Sequence, residues 1–115
     1  MVICQPETAN LKKVKIAKSK KINLNKVLKM SELFSVLGDP TRIEILNALS
    51  HGELCICEIV LALGKSQSLI SHQLRALRHL NLVKVKKEGR NRYYSLNNSH
   101  ILNLLSECKK TIEGK

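Results

Sequence analysis

From Leu24 the apolar residues fall into a helical rhythm, with Val27, Met30, Phe34 and Leu37 spaced to form one face of a helix that Gly38 ends. Asp39 and Pro40 then supply an N-cap side chain and a first-turn proline. They predict a second helix from Pro40 to about Ser50, with Ile43, Leu46 and Leu49 inward. After Gly52, a third helix carries Ile56, Ile59, Val60 and Leu63 on its apolar stripe and stops at Gly64, a residue suited to a left-handed C-cap. Ser66 caps a fourth helix, Ser66 to Leu80, whose Ile70, Leu74 and Leu77 point to the core. Its other face carries Ser68, Ser71, His72 and Arg75 in one polar strip.

The period then changes to two. Val83 and Val85 alternate with Lys84 and Lys86, Lys87 to Asn91 form a turn, and Tyr94 and Leu96 alternate with Tyr93 and Ser95, which predicts a basic β-hairpin. A last helix, from about Asn98 to Ile112, aligns Ile101, Leu105, Cys108 and Ile112 as an apolar ridge with little chain left to cover it. A partner subunit would cover that ridge. Residues 1–22, crowded with Lys12, Lys13, Lys15, Lys18, Lys20 and Lys21, read as a basic, flexible arm rather than a folded element, ahead of one domain over residues 23–115.

Composition narrows the function. A chain of 115 residues supports one core, so a sensor and a reader must share it. A formal net charge of +11 suits a polyanionic partner, with nucleic acid ahead of a membrane surface. No stretch approaches the ~20 apolar residues of a membrane span. Residues 1–10 lack a signal-peptide pattern, so the expected compartment is the cytoplasm. In that reducing setting the four cysteines point to free thiols or a metal site rather than disulfides. No acid/base pair, phosphate loop or open His/carboxylate site supports an enzyme or a metal-sequestering protein.

A helix, a short glycine-containing turn, a polar-faced helix and a basic hairpin, in that order, define a mostly α winged helix-turn-helix. Gln67, Ser68, Ser71, His72 and Gln73 carry groups that suit base edges, while Arg75, Lys87, Arg90 and Arg92 suit phosphates of double-stranded DNA. Asp39-Pro40-Thr41-Arg42, Glu53-Leu54-Cys55-Ile56-Cys57-Glu58, the run from Ser66 to Leu74 and the wing from Glu88 to Leu96 together resemble the ArsR/SmtB metalloregulatory repressors. The resemblance covers about Leu24 to Ile112. It implies a homodimer joined through the first and last helices, bound to a pseudo-palindromic operator and released when metal binds. It also places Gln67, Ser68, Ser71 and His72 at base-contacting positions.

In that family a Cys-x-Cys before the reading helix marks the arsenic sensors and the cadmium/lead sensors, and Cys55 and Cys57 match it. Thiolates are soft ligands suited to Pb(II), As(III), Cd(II) and Zn(II). On an ideal helix such a pair diverges, so Cys55 and Cys57 can share an ion only near a helix N-terminus, where the dipole also favours anions. The arsenic-type pattern continues with a third cysteine where this chain has Val60. The cadmium/lead-type sensors take further cysteines from the partner subunit's arm, and Cys4 is placed like one of them. About 20 arm residues at up to ~3.4 Å each give ample reach. Cys4, Cys55 and Cys57 would form a three-thiolate site for an inducing arsenic, lead or cadmium ion. The family's zinc-type site on the last helix matches Asn98, His100, Thr111 and Gly114, of which only His100 can ligate. Cys108 belongs to the apolar ridge. The alternative keeps the repressor but makes it a thiol-redox sensor or independent of metal.

Overall fold

The computed structural model describes residues 5–114, which form two compact units divided between residues 32 and 33. In the first, a short 3-10 turn, Pro6–Thr8, precedes helix α1, Leu11–Ser19. The expected unfolded arm is therefore helical over nine of its residues. Asn10 explains the start, its side-chain oxygen accepting from the Lys12 and Lys13 N–H groups at 3.0 and 3.2 Å. Neither glycine nor proline interrupts Leu11 to Lys21, and lysine is a good helix former, so charge density does not prevent the turn-by-turn bonding. No residue of α1 is buried.

Helix α2, Leu24–Leu37, follows. Of its expected inward stripe only Leu37 packs on the core, alongside Leu33 and Val36, while Val27, Met30 and Phe34 are exposed. The second unit then continues with α3 (Pro40–Leu49), β1 (Leu54–Cys55), α4 (Ile56–Leu63), α5 (Gln67–His79), β2 (Val83–Glu88), β3 (Asn91–Leu96) and α6 (Ser99–Glu113).

Each start of these helices has a local cause. Asp39 Oδ2 accepts from the Arg42 N–H at 3.0 Å with Pro40 in the first turn of α3; Ser66 Oγ accepts from Leu69 at 3.2 Å; Asn98 Oδ1 accepts from His100 at 2.9 Å. Between α4 and α5 the chain turns through Gly64 at φ 65°, a left-handed conformation that glycine adopts without a Cβ penalty.

One core joins these elements: Ile45, Leu46 and Leu49 of α3, Ile59 of α4, Ile70, Leu74 and Leu77 of α5, Leu82, Val83 and Tyr94 around the sheet, and Ile101 of α6. Ile43, expected inward, is 42% exposed. The core-facing row of α3 is Ile45, Leu46 and Leu49, so its apolar residues serve two faces rather than one.

The sheet has three antiparallel strands in the order β1-β3-β2, not the two of the expected hairpin. β2 and β3 run in register from Val83 opposite Leu96 to Glu88 opposite Asn91, closed by Gly89 and Arg90, with Gly89 at φ 62°. β1 adds only Leu54 opposite Tyr94 and Cys55 opposite Tyr93. That short pairing ties the segment before α4 to the wing.

Candidate DNA-reading face and thiol site

Helix α5 presents Gln67, Ser68, His72 and Arg75 on its exposed side, with Ser71 half-buried, while Ile70, Leu74 and Leu77 anchor the opposite side. The polar strip therefore stands on a helix whose orientation the core fixes. Gln73 does not belong to it. Its side chain is only 9% exposed, and its amide oxygen accepts from Arg42 Nε at 2.5 Å. Spacing explains the correction, because Gln73 lies between Ile70 and Leu77 on the inward row at helical period. Arg42 also reaches the Val36 carbonyl at 3.4 Å, so one guanidinium joins the end of α2, the start of α3 and the middle of α5. This positioning role of Arg42 is not evident from the sequence pattern; a long cation facing a polar residue on an inward row is the signal that could reveal it.

The wing completes the face. Lys87, Arg90 and Arg92 are exposed on and beside the two-residue turn. Lys86 instead pairs with carboxylates, its ammonium lying 3.3 Å from Glu88 and 3.4 Å from Glu53. The Glu88 hydrogen bond first, and then the charge of Glu53, raise the Lys86 pKa. Those two carboxylates are thus engaged by Lys86, and neither Arg90 nor Arg92 has an ion-pair partner among the described residues.

Cys55 and Cys57 sit at the start of α4. Cys55 is the N-cap residue, with extended backbone at φ −84° and ψ 168°, and Cys57 follows in the first turn. Cys55 therefore lies outside the regular helical geometry in which residues two apart diverge. Both line one shallow cavity of about 190 Å³, together with Ile56 and the wing residues Arg90, Asn91 and Arg92. Cys55 is half-buried, Cys57 is exposed, and both are free thiols. The Cys55 N–H donates to Glu58 Oε1 at 2.9 Å. This bond, with a lesser one from the Cys55 thiol, holds the Glu58 carboxyl below the usual carboxylate range. Glu58 is thereby engaged in capping its own helix.

The donor set suits a soft ion but is incomplete, because the described residues contain no group of three His, Cys, Asp or Glu side chains able to hold a metal. Cys4, expected as the third thiol, lies outside the described residues. On α6, Asn98 is occupied as the N-cap and His100 is exposed. Cys108 is exposed and lines a larger apolar cavity of about 530 Å³ with Phe34, Leu37, Ile43, Leu105 and Ile112.

A mostly helical body, a capped reading helix and a basic three-stranded wing define a winged helix-turn-helix DNA-binding protein. The sequence profile of the bacterial arsR-family regulatory proteins matches residues 39–85. The chain is 40% identical over 107 residues to a transcriptional repressor SmtB homolog of Synechocystis, covering 93% of this chain and 81% of that protein. It is 38% identical over 104 residues to the cadmium resistance transcriptional regulatory protein CadC of Listeria innocua, covering 90% and 87%. A homodimeric winged helix-turn-helix DNA-binding domain from Mycobacterium bovis shares the fold at a TM-score of 0.71 with 23% identity, over 81% of this chain and 88% of that one. The chain belongs to the ArsR family of DNA-binding transcriptional regulators and is not an enzyme.

Proposed function

We propose that the protein is a dimeric, metal-responsive repressor, bound to operator DNA through α5 and the wing and released when a thiophilic ion, Pb(II), Cd(II) or As(III), engages Cys55 and Cys57. The observation that carries this reading is the shared cavity in which both thiols meet the wing, at the start of the helix that precedes the reading helix. Gln67, Ser68, Ser71 and His72 would face base edges, and Arg75, Arg90 and Arg92 would hold phosphates. Cys4, carried by the partner subunit's arm, is the proposed third thiol. Similarity to a cadmium-resistance regulator supports a soft-ion inducer.

The dimer rests on the apolar cavity between α3, α6 and the end of α2. Phe34, Ile43 and Ile112 are exposed there at 60, 42 and 80%, and a second copy would cover them.

The test begins with a duplex recovered by binding selection from a random-sequence pool. The purified protein, bound to that duplex, is titrated with Pb(II), Cd(II) and As(III) while DNA release and thiolate-to-metal absorption are followed together. The expected result is salt-sensitive binding and a loss of roughly 5- to 150-fold in affinity with at least one ion. DNA affinity indifferent to all three ions, but lowered by peroxide or polysulfide, would replace the metal reading with a redox one.

A further inference from the structure

Helix α1 forms in spite of its charges. It buries no residue, so packing does not hold it, and Lys12 and Lys13 stand in its first turn, where the helix dipole disfavours cations. Lys12, Lys15 and Lys18 follow one another at i, i+3 spacing, the arrangement in which like charges repel on a helix surface. The Asn10 cap fixes the start of the helix against these terms. A segment that breaks local rules in this way marks a demand from outside the chain.

Charge identifies the partner. From Thr8 to Ser31 the chain holds eight lysines and no acidic residue. None of Lys12, Lys13, Lys15, Lys18, Lys20 and Lys21 has an ion-pair partner among the described residues. Six free ammoniums suit a polyanion. An anionic membrane surface would also need a single apolar stripe, but Leu11 and Ile16, 77 and 57% exposed, lie about 140° apart around the helix axis. DNA needs no such stripe. Lysines three apart are separated by about 4.5 Å along the axis, and each DNA strand carries a phosphate about every 3.4 Å, so a row of long cationic side chains can follow one strand.

We propose that α1 is a second DNA-binding element, whose row of Lys12, Lys15 and Lys18 contacts backbone phosphates of the duplex that α5 and the wing read. This rests on the reading of α5 and the wing as the DNA-contacting face, and it is independent of any metal. Phosphate contacts carry no sequence information, so α1 adds affinity and leaves base discrimination to α5.

The experiment compares full-length wild type, K12Q/K15Q/K18Q and A17P on the selected duplex and on an unrelated duplex of equal length, over a range of salt. Because α1 buries no residue, both variants should keep the wild-type melting temperature. K12Q/K15Q/K18Q should bind both duplexes more weakly by one common factor of at least ~10, with a salt slope smaller by about 2.7 per protomer. A17P keeps every lysine but breaks the helical row, so its slope should also fall, by at least ~1 per protomer. Wild-type affinity and slope in K12Q/K15Q/K18Q would overturn the proposal while leaving α5 and the wing as the DNA face. A loss confined to the selected duplex would make the row a base reader and contradict it. An A17P protein indistinguishable from the wild type would show that lysine number alone acts, and would sink the helical row. Phosphatidylserine vesicles that bind the wild type but not K12Q/K15Q/K18Q, with DNA affinity equal in the two, would assign α1 to a membrane instead. A wild type without salt-sensitive DNA binding removes the reading of α5 and the wing, and this inference with it.

Discussion

Cys55 stands directly opposite Tyr93 in the pairing of β1 with β3, so the first thiol of the Cys-x-Cys pair is part of the same sheet as the DNA-binding wing. The same residue is the N-cap of α4, which leads through Gly64 into the reading helix. A change in what Cys55 binds therefore acts on a strand, a helix start and a cavity wall together. In the proposed repressor this is the physical basis for coupling sensing to DNA binding.

Cys55→Ser separates the structural and sensing roles of this position. Serine is a favoured N-cap residue and the backbone there is already extended, so α4 should retain its start and the melting temperature should hold or rise slightly. Metal-free DNA affinity should stay near the wild-type value, while release by Pb(II) disappears. Thermal melts and DNA anisotropy on the same preparation check both halves.

Gln73→Ala tests the contact between α3 and α5. It removes the acceptor for Arg42 Nε and leaves a partly buried guanidinium short of a partner, at a cost of about 1–3 kcal/mol. The melting temperature should fall by about 4–8 °C per kcal/mol in a domain of this size. Ser68→Ala, on the exposed face, should leave the melting temperature unchanged and weaken DNA binding instead.

Ile112→Glu and Ile43→Glu address the apolar cavity that holds Cys108. Both residues are exposed within the chain, so neither substitution should unfold it, yet each places a charge where a second copy would pack. Sedimentation should show monomers with unchanged helical circular dichroism, and DNA affinity should fall with the loss of the paired half-site contact. Leu77→Ala, at full burial, should instead destabilise the fold by about 2–5 kcal/mol.

Gly64→Ala examines the turn before the reading helix. An added Cβ would meet nothing within 4 Å, so the expected cost is the backbone strain of a positive φ, about 1–2 kcal/mol, and not a clash. A chemical-denaturation midpoint shifted by that amount, with an unchanged slope, is the result to look for.

Local signals make much of this architecture legible in the sequence. Asp39, Ser66 and Asn98 each place a cap where a helix starts, and the alternation of Val83, Val85, Tyr94 and Leu96 marks the two long strands. Nonlocal pairing and doubled faces are not legible in the same way. β1 has only two residues, too few for any period, and exists because β3 has a free edge. Ile43 satisfies the inward spacing yet lies on the second apolar face of α3. Gln73 has the chemistry of a base-reading residue, although its spacing with Ile70 and Leu77 places it inward. Lysine density in α1 conceals the Asn10 cap. The thiol pair itself is legible, but its meeting with Arg90 and Arg92 depends on the fold of the wing.

The most direct test of the sensing claim is a Pb(II) titration of wild-type and Cys57→Ser protein bound to the selected duplex, recording Pb(II)-thiolate absorption and DNA anisotropy from one sample. The account predicts that in the wild type absorption and release rise together and saturate at the same ratio of Pb(II) to protein. Cys57→Ser should bind DNA as tightly as the wild type, lose most of the absorption and stay bound as Pb(II) is added. Normal release of Cys57→Ser by Pb(II) would contradict the claim that the Cys55 and Cys57 pair is the sensor.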